Sequence, residues 1–243
     1  MKTTHWLSIS IASLALIISV LILSSAIRNR NESNNVISVT GMAERNFESD
    51  LIVWKSQFTV KNFNLTAAYA ELKKQSESTR RFLETKDIDN SEITFSAVEI
   101  TKEYTNVSSN GNSISTFDGY RLTQQISISS SKVTKIENVS REITELINSG
   151  IEITSLSPEY YYTKLSNLKV EMLAEATRDG KSRAKTIAEN GDGKLGRLMN
   201  SSMGVFQIVA QNSSEDYSWG GAFNTSSKKK TASITVKLQY QVK

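Results

Sequence analysis

The chain contains no cysteine, one proline and one histidine among its 243 residues. Without cysteine it has no disulfide framework, no thiolate zinc site, no thiol nucleophile and no lipid attachment through a cysteine. The only histidine, His5, precedes a long hydrophobic segment. The rest of the chain therefore cannot hold a Ser-His-Asp triad or a histidine-ligated metal. With Pro158 as the only proline, strands and helices are interrupted by few enforced breaks.

Charge is nearly balanced, which argues against nucleic acid as a partner. The formal net charge is +4, and hydrophobic residues make up 38% of the chain, as in an ordinary folded protein. The small basic excess is spread along the chain, with clusters only at Arg80-Arg81 and Lys228 to Lys230. No aromatic residues interleave with these clusters, whereas grooves for single-stranded nucleic acid combine both.

The N-terminal hydrophobic segment predicts a membrane anchor. Residues 7–27 contain no charge and no proline, and a helix of this length reaches about 31 Å, enough to cross a hydrocarbon core. A cleaved signal sequence is the alternative, with Ser24-Ser25-Ala26 as the cleavage site, although signal h-regions usually run only about 7 to 15 residues. Lys2 on one side and Arg28 and Arg30 on the other leave the orientation undecided by charge.

After a short N-terminal tail, residues 1–6, the anchor is followed by a polar linker, 28–35, and one folded domain, 36–243. The hydrophobic pattern of this domain predicts an α+β fold of antiparallel sheets with strand-helix-strand units. The strands at 36–40 and 51–61 are expected to pair with each other, and Asn110-Gly111 predicts the turn of a long hairpin. The predicted helices lie at about 65–85, 136–147 and 165–190, and the other strands at 91–107, 114–130, 151–163, 194–210 and 229–242.

Two motifs resemble ligand sites without matching their context. Residues 191–196 spell GxGxxG, but they follow a predicted helix and precede a strand, so no helix N-terminus faces them and a capping turn is the better interpretation. Asp87, Asp89 and Glu92 are spaced like the start of a calcium loop that lacks its glycine and its last carboxylate. The sequence therefore predicts no catalytic residue, no cofactor and no metal, and the protein is expected not to be an enzyme.

Aromatic residues stand out in the polar loop 211–227, which is rich in Ser, Asn and Gly. Tyr217, Trp219 and Phe223 are candidate interaction residues, because large aromatics in a loop can contact a partner subunit, a glycan or a lipid. The alternative is that they fold back as a lid on the core. Both interpretations stay open at the level of sequence.

Two segments resemble the SIMPL-domain family of bacterial extracytoplasmic proteins, which includes a periplasmic immunogenic protein and an oxidative stress defence protein. The first is Ile37-Ser38-Val39-Thr40-Gly41 with Ala43-Glu44 and Asp50, and the second runs from Arg178-Asp179-Gly180 to Lys194-Leu195-Gly196. The closing strand from Ala232 to Val236 also fits. Departures from the family pattern are Ser49 and Gly180, which replace a proline and an alanine, and Lys228 to Lys230, which replace a proline-glycine entry.

The resemblance implies an α+β fold, an extracytoplasmic address and ring-like or cage-like homo-oligomers, without catalytic residues. The expected function is thus a non-enzymatic, membrane-anchored protein of the periplasm that self-assembles at the cell envelope, with a link to envelope or oxidative stress. Its expected partners are further copies of itself and the membrane. The alternative hypothesis is a module that binds an envelope glycan, lipid or protein through 211–227, and the alternative address is the periplasm after signal cleavage.

Overall fold

The computed structural model describes residues 13–25, 35–109 and 112–243. Residues 13–25 form a helix, α1, whose apolar side chains are exposed. Among the described residues, no helix is both long and apolar enough to cross a membrane. Residues 7–12 and 26–27 of the predicted span lie outside the described parts, as do the predicted tail and most of the linker. The anchor thus stays a prediction.

The described domain is a mixed α+β structure in which strands pair antiparallel. Its elements follow in the order β1 (Val36–Glu48), β2 (Leu51–Asn62), α2 (Leu65–Thr85), β3 (Ile93–Phe95), β4 (Glu99–Ser109), β5 (Asn112–Ser130), α3 (Val133–Glu142), β6 (Ile153–Ser155), β7 (Glu159–Tyr161), α4 (Leu165–Asn190), β8 (Leu195–Met203), β9 (Gln207–Ala210) and β10 (Lys229–Val242). Short 3₁₀ turns occupy Asn90–Glu92 and Ile143–Ser149.

The chain divides into two compact units. Unit 1 comprises Met1–Arg45, Asn167–Phe206 and Ser233–Lys243, and unit 2 comprises Asn46–Ser166 and Gln207–Ala232. The division falls within β1 and within β10, so each of these strands contributes residues to both units. The four-stranded sheet has the order β1-β10-β8, with β9 also paired to β10. The six-stranded sheet has the order β3-β5-β2-β6, with β4 also paired to β5 and β7 to β2.

Unit 2 is built around a core of large side chains between its sheet and the helices α2 and α3. Alternate residues of β2 point to this core, among them Ile52, Trp54 and Phe58, each at most 1% exposed. Full burial of one such side chain stabilises the fold by about 1.5–3 kcal/mol. The indole of Trp54 donates to Ser155 Oγ at 3.0 Å, so its polar atom is also satisfied. The other members of the core include Leu72, Leu83, Leu122, Ile126, Ile128 and Ile136.

Unit 1 relies instead on close approach between α4 and β1. Buried residues recur on α4 every four positions, and most of them are small. A Cβ atom added to Gly41 would lie 2.0 Å from the carbonyl oxygen of Ala176 and 2.5 Å from the backbone nitrogen of Gly180, so only glycine fits there. The side chain of Asp179 then accepts a hydrogen bond from the backbone N–H of Met42 at 2.9 Å.

Charged groups bind the same helix to the strand. Arg45 forms ion pairs with Glu171, at 2.5 Å, and with Glu175. The N–H of Met42, together with the Arg183 side chain, lowers the pKa of Asp179 below its ordinary value, because both donate to the ionised carboxylate. The family-like segment around Asp179 therefore has a structural role in unit 1.

The predicted pairing of the first two strands is wrong. β1 pairs with β10, whereas β2 pairs with β5, β6 and β7. Alternation of side chains identifies a strand but does not specify its neighbour. The first strand also continues past Gly41, which the sequence pattern suggests as its end, because that glycine accommodates α4 rather than a turn.

Three long predicted strands are each broken in two. Residues 91–107 contain β3 and β4, which both pair with β5; 151–163 contain β6 and β7, on either side of Pro158, which both pair with β2. Residues 194–210 contain β8 and β9, which both pair with β10. The predicted helices and the β4-β5 hairpin are confirmed, while the Asn110-Gly111 turn lies outside the described residues. The end of the second helical region is 3₁₀ rather than α-helical.

Candidate interaction site

The aromatic loop, residues 211–227, connects β9 to β10 in unit 2, and one glutamine side chain organises its middle. Gln207 Oε1 accepts hydrogen bonds from the backbone N–H groups of Ala222 at 2.7 Å and Ser218 at 3.2 Å. Its Nε2 atom donates to the carbonyl of Ser218 at 2.8 Å. The segment 218–222 is thus fixed by a side chain that belongs to a strand.

A carboxylate and an amide fix the ends of the aromatic loop. Glu215 accepts from the backbone N–H of Ala210 at 3.1 Å and from Asn224 Nδ2 at 2.5 Å. Asn224 in turn accepts from the backbone N–H of Ser227 at 2.9 Å and donates its own N–H to the carbonyl of Ile208 at 2.9 Å. The loop is held by these internal contacts, so it needs no partner for its order.

Lys230, at the start of β10, is a buried cation tied to the same loop. Its side chain is 1% exposed, and its Nζ atom donates to the carbonyl of Asn224 at 2.5 Å. Burial lowers the pKa of Lys230 to about 8, because the charged ammonium loses its hydration, while Glu215 acts in the opposite direction. Lys230 therefore contributes a contact to the loop at a cost in desolvation.

All three aromatic residues singled out from the sequence are exposed. Trp219 is 100% exposed, Tyr217 63% and Phe223 50%. The interpretation of these rings as a lid on the core is therefore wrong, because a lid would bury them. Among the residues that the structure describes, no atom lies within 4 Å of where a Cβ of Gly220 would be. Gly221 has φ +94, which allows the turn that presents Trp219.

A second exposed surface lies in unit 1, along β8. This strand ends the order β1-β10-β8 and is exposed over most of its length. Leu198 and Met203 are opposite Tyr240 and Val236 of β10 and share their face, yet they are 47% and 59% exposed, whereas their partners are buried. Exposed apolar side chains on an edge strand are a typical site for another chain to bind.

Positive charges accompany this edge. Lys194 directly precedes β8, Arg197 lies on it, and Lys237 is opposite Ser202. None of the three forms an ion pair with any part of the chain that the structure describes. We call the exposed part of β8, together with Lys194 and Lys237, the β8 edge.

Comparison with models of known protein families shows to which family the chain belongs. A model of the SIMPL family, described as a protein of unknown function (DUF541), matches residues 37–242. The chain belongs to the SIMPL family. The resemblance inferred from the sequence motifs is thus confirmed, and the match covers both the aromatic loop and the β8 edge. No curated protein matches this SIMPL chain.

The two letter-matched motifs are structural turns in this SIMPL protein. Residues 191–194 of the first motif connect α4 to β8, and its last two residues begin that strand. The N–H of Gly191 donates to the carbonyls of Ile187 and Ala188, as expected for the end of a helix. Asp89 caps the short 3₁₀ turn by accepting from the N–H of Ser91 at 2.8 Å. Within the described residues, no group of three or more His, Asp and Glu side chains could hold a metal ion.

A pocket of about 220 Å³ lies next to the second motif and is lined by Glu84, Asp87, Ile88, Asp89 and Lys132. A hydrogen bond from Lys135 lowers the pKa of Asp87, and the N–H of Ser91 lowers that of Asp89. Both carboxyl groups are therefore ionised at neutral pH, whereas a general acid needs a raised pKa. This pocket of the SIMPL protein gives no argument for acid catalysis.

The sequence identified the aromatic loop but neither the side chains that hold it in place nor the second exposed surface, the β8 edge. Gln207, Glu215 and Asn224 give no signal in the sequence, because their roles depend on backbone groups up to 15 residues away. The β8 edge was also missed. The sequence predicts a strand at 194–210, but a strand prediction does not say that α4 leaves part of it uncovered.

Proposed function

We propose that this SIMPL protein is a non-enzymatic, membrane-anchored protein of the bacterial envelope whose extracytoplasmic domain self-associates into a ring or a cage. The observation that carries the proposal is the β8 edge. Leu198, Met199 and Met203 are exposed on a strand whose outer edge is unpaired among the described residues. Contact of such apolar side chains with water is unfavourable. The backbone N–H and C=O groups on the outer edge of the strand are also free to pair with another chain.

β8 has an exposed Arg197 and an irregular register with β10, but it lacks two other features by which monomeric proteins protect an edge strand. Proline and inward-pointing charges prevent edge pairing, but β8 contains no proline, and its one charged residue, Arg197, is exposed. The homo-oligomers that such an edge allows are closed and symmetric when the contact geometry permits closure. A ring or cage is therefore the expected assembly, and the membership in the SIMPL family agrees with it.

The proposed anchor and address rest on the hydrophobic residues 7–27 and on the family. If the segment is an uncleaved anchor, the mature protein begins with its own Met1 or Lys2 and is released from membranes by detergent but not by alkaline carbonate. Cleavage after Ala26 would instead yield a protein that carbonate releases. Terminal sequencing of the extracted protein decides between the two outcomes.

The mass of the full chain in detergent tests the proposed self-association. One chain has a mass of 27.0 kDa, and light scattering over a hundredfold range of concentration should give a multiple of it. Leu198→Glu with Met203→Glu should lower the mass, because the two carboxylates would have to be desolvated. Val170→Glu is the matched control, since Val170 is exposed on α4. A single-chain mass at every concentration would contradict the proposal.

A second candidate function is a module that binds an envelope glycan, lipid or another protein. It is favoured by the complete exposure of Trp219 on a loop that Gln207 holds in place. Burial of one indole removes roughly 150–250 Å² from water, which is about 4–6 kcal/mol at about 25 cal/mol per Å². This energy is available to whichever partner covers the ring.

Substitution of the exposed rings tests this second candidate. Trp219→Ala with Phe223→Ala should abolish co-purification of the bound component and leave the thermal unfolding unchanged, with Tyr69→Ala as the control for an exposed aromatic residue elsewhere. Unchanged binding of glycan, lipid and protein fractions after the double substitution would remove this candidate.

A further inference from the structure

We infer that the aromatic loop of one copy docks on the β8 edge of a second copy, so that the self-association is head-to-tail. The inference rests on the proposed function and specifies its contact. Two surfaces of the chain carry it, and they differ in charge and in shape. Each has its own set of exposed apolar side chains and its own set of charged side chains, positive at the β8 edge and negative in the loop.

Charge makes the two surfaces complementary. The aromatic loop contains Glu215 and Asp216 and no basic residue, in a chain whose net charge is +4. Glu215 accepts hydrogen bonds from Ala210 and Asn224 and interacts with Lys230 at longer range. Neither carboxylate forms a close ion pair with a cation among the described residues. The β8 edge supplies Lys194, Arg197 and Lys237, which also have no ionic partner there. Opposite charges that meet across an interface steer association and fix its orientation.

The apolar side chains are complementary as well. The loop offers flat rings, above all Trp219, and the edge offers Leu198, Met199 and Met203. Methionine side chains adapt to the shape of an aromatic ring and make favourable sulfur contacts with it. Because the loop is already ordered by Gln207 and Asn224, docking costs little conformational entropy. Tryptophan and tyrosine are also the residues that most often dominate binding energy.

The same charges disfavour the symmetric arrangements. Two loops facing each other would bring the carboxylates of Glu215 and Asp216 of both copies to one interface, and two β8 edges would do the same with positive charges, among them Arg197. Like charges across an interface are unfavourable. A contact between two different surfaces is heterologous, and repetition of such a contact closes a ring or continues as a filament.

A mixing experiment with two defective variants of the full chain in detergent tests this geometry. The loop variant is Trp219→Ala with Asp216→Asn, and the edge variant is Arg197→Glu with Leu198→Ala; all four side chains are exposed. Each variant alone should associate at least about 30-fold more weakly than the unchanged chain, as expected for loss of a dominant contact. Circular dichroism and thermal unfolding should be unchanged.

The mixture of the two variants distinguishes a head-to-tail contact from a symmetric one. The loop variant retains an intact edge and the edge variant an intact loop, so an equimolar mixture should form a dimer of one chain of each, and nothing larger. A mixture that stays monomeric would overturn the inference. The inference would also be overturned if the loop variant had the same mass as the unchanged chain. If that variant in addition lost binding to lipid vesicles or peptidoglycan, the loop would bind an envelope component and not a second copy.

The failures of the two proposals can be told apart. If the unchanged chain is monomeric at all concentrations, the proposed self-association itself is wrong. If the unchanged chain is a large oligomer but the loop variant has the same mass, only the docking of the aromatic loop is wrong. Tyr69→Ala serves as the control for removal of an exposed aromatic residue and should leave the mass unchanged.

Discussion

The two units of this protein use different means to cover a sheet. In unit 2, large side chains such as Trp54 and Phe58 fill the space between a six-stranded sheet and its helices. In unit 1, α4 lies so close to β1 that glycines replace side chains at the crossing. The helix covers β1 and β10 with small residues, while β8 stays exposed.

This difference shows which substitutions destabilise each unit and which surface is available to a partner. A core of large residues is weakened by removal of volume, whereas a close crossing is weakened by addition of volume. A sheet that one helix covers only in part also leaves an edge strand for a partner. Unit 1 should therefore tolerate substitutions on the exposed strand β8, but it should not tolerate a larger residue at Gly41.

The largest expected effect is the removal of a buried ring from unit 2. Trp54→Ala should lower the free energy of unfolding by about 4 kcal/mol, because it leaves a cavity among packed side chains. Chemical denaturation measures the change. Trp219→Ala is the control for the same substitution at a fully exposed ring and should change stability by less than about 0.5 kcal/mol. Equal effects at the two positions would contradict the assignment of core and surface.

The next effect sharpens the contrast in unit 1. Gly41→Ala adds a single methyl group that would lie 2.0 Å from a backbone oxygen of α4, so stability should fall by about 3 kcal/mol. Gly220→Ala, which has nothing within 4 Å, is the control. If the alanine at position 41 is tolerated, the close crossing is not what holds unit 1 together.

A smaller effect depends on pH and concerns the loop of unit 2. The pKa of Lys230 is lowered from 10.5 to about 8, so the unfolded chain binds the proton more tightly than the folded one. The contribution of Lys230 to the free energy of unfolding is fully present above about pH 10.5. It falls as the pH is lowered, and it is lost as the pH falls through about 8. Lys230→Met should remove this pH dependence and stabilise the protein at pH 7 by about 1 kcal/mol.

Urea titrations at several pH values between 7 and 10.5 measure this prediction. Lys73→Met, at an exposed position of α2, serves as the control and should retain the rise in stability with pH. If the variant at position 230 shows the same rise as the unchanged chain, burial of the Lys230 ammonium is not its cause.

The smallest expected effect is at the polar contact between α4 and β1. The folded-state pKa of Asp179 is lowered by the N–H of Met42 and by Arg183, so its contribution is present above the unfolded pKa and is lost as the pH falls through the folded pKa. Asp179→Asn should cost about 0.5–1 kcal/mol at pH 7. The difference from the unchanged chain should shrink at acid pH, and a constant difference from pH 7 to pH 2 would argue against the ionised contact.

Much of the fold could be predicted from the sequence because its signals are local. The three main helices follow from the spacing of residues such as Leu72 and Met172, and Gly150 ends its helical region at φ +79, where glycine is favoured. The partners of the strands could not be predicted, because pairing is a property of distant segments. Gly41 shows the limit: the letter suggests a turn, but a helix about 135 residues further along requires it.

The candidate site could be predicted only in its exposed part. Tyr217, Trp219 and Phe223 stand out in the sequence because aromatic residues are rare in polar loops. Their exposure, which decides between a lid and a contact surface, depends on the hydrogen bonds of Gln207 and Glu215. The β8 edge has an ordinary strand sequence, and only its position at the end of the sheet makes it a surface for binding.

Disulfide trapping tests the docking of the aromatic loop on the β8 edge most directly, because the natural chain contains no cysteine. A full chain that carries both Leu198→Cys and Gly220→Cys should, on mild oxidation, give a ladder of covalent dimers, trimers and higher species in steps of 27.0 kDa. Each single cysteine variant should give only the covalent monomer on a denaturing gel. Dimers that form equally well from either single variant, or a double variant that gives monomers only, would contradict the head-to-tail contact.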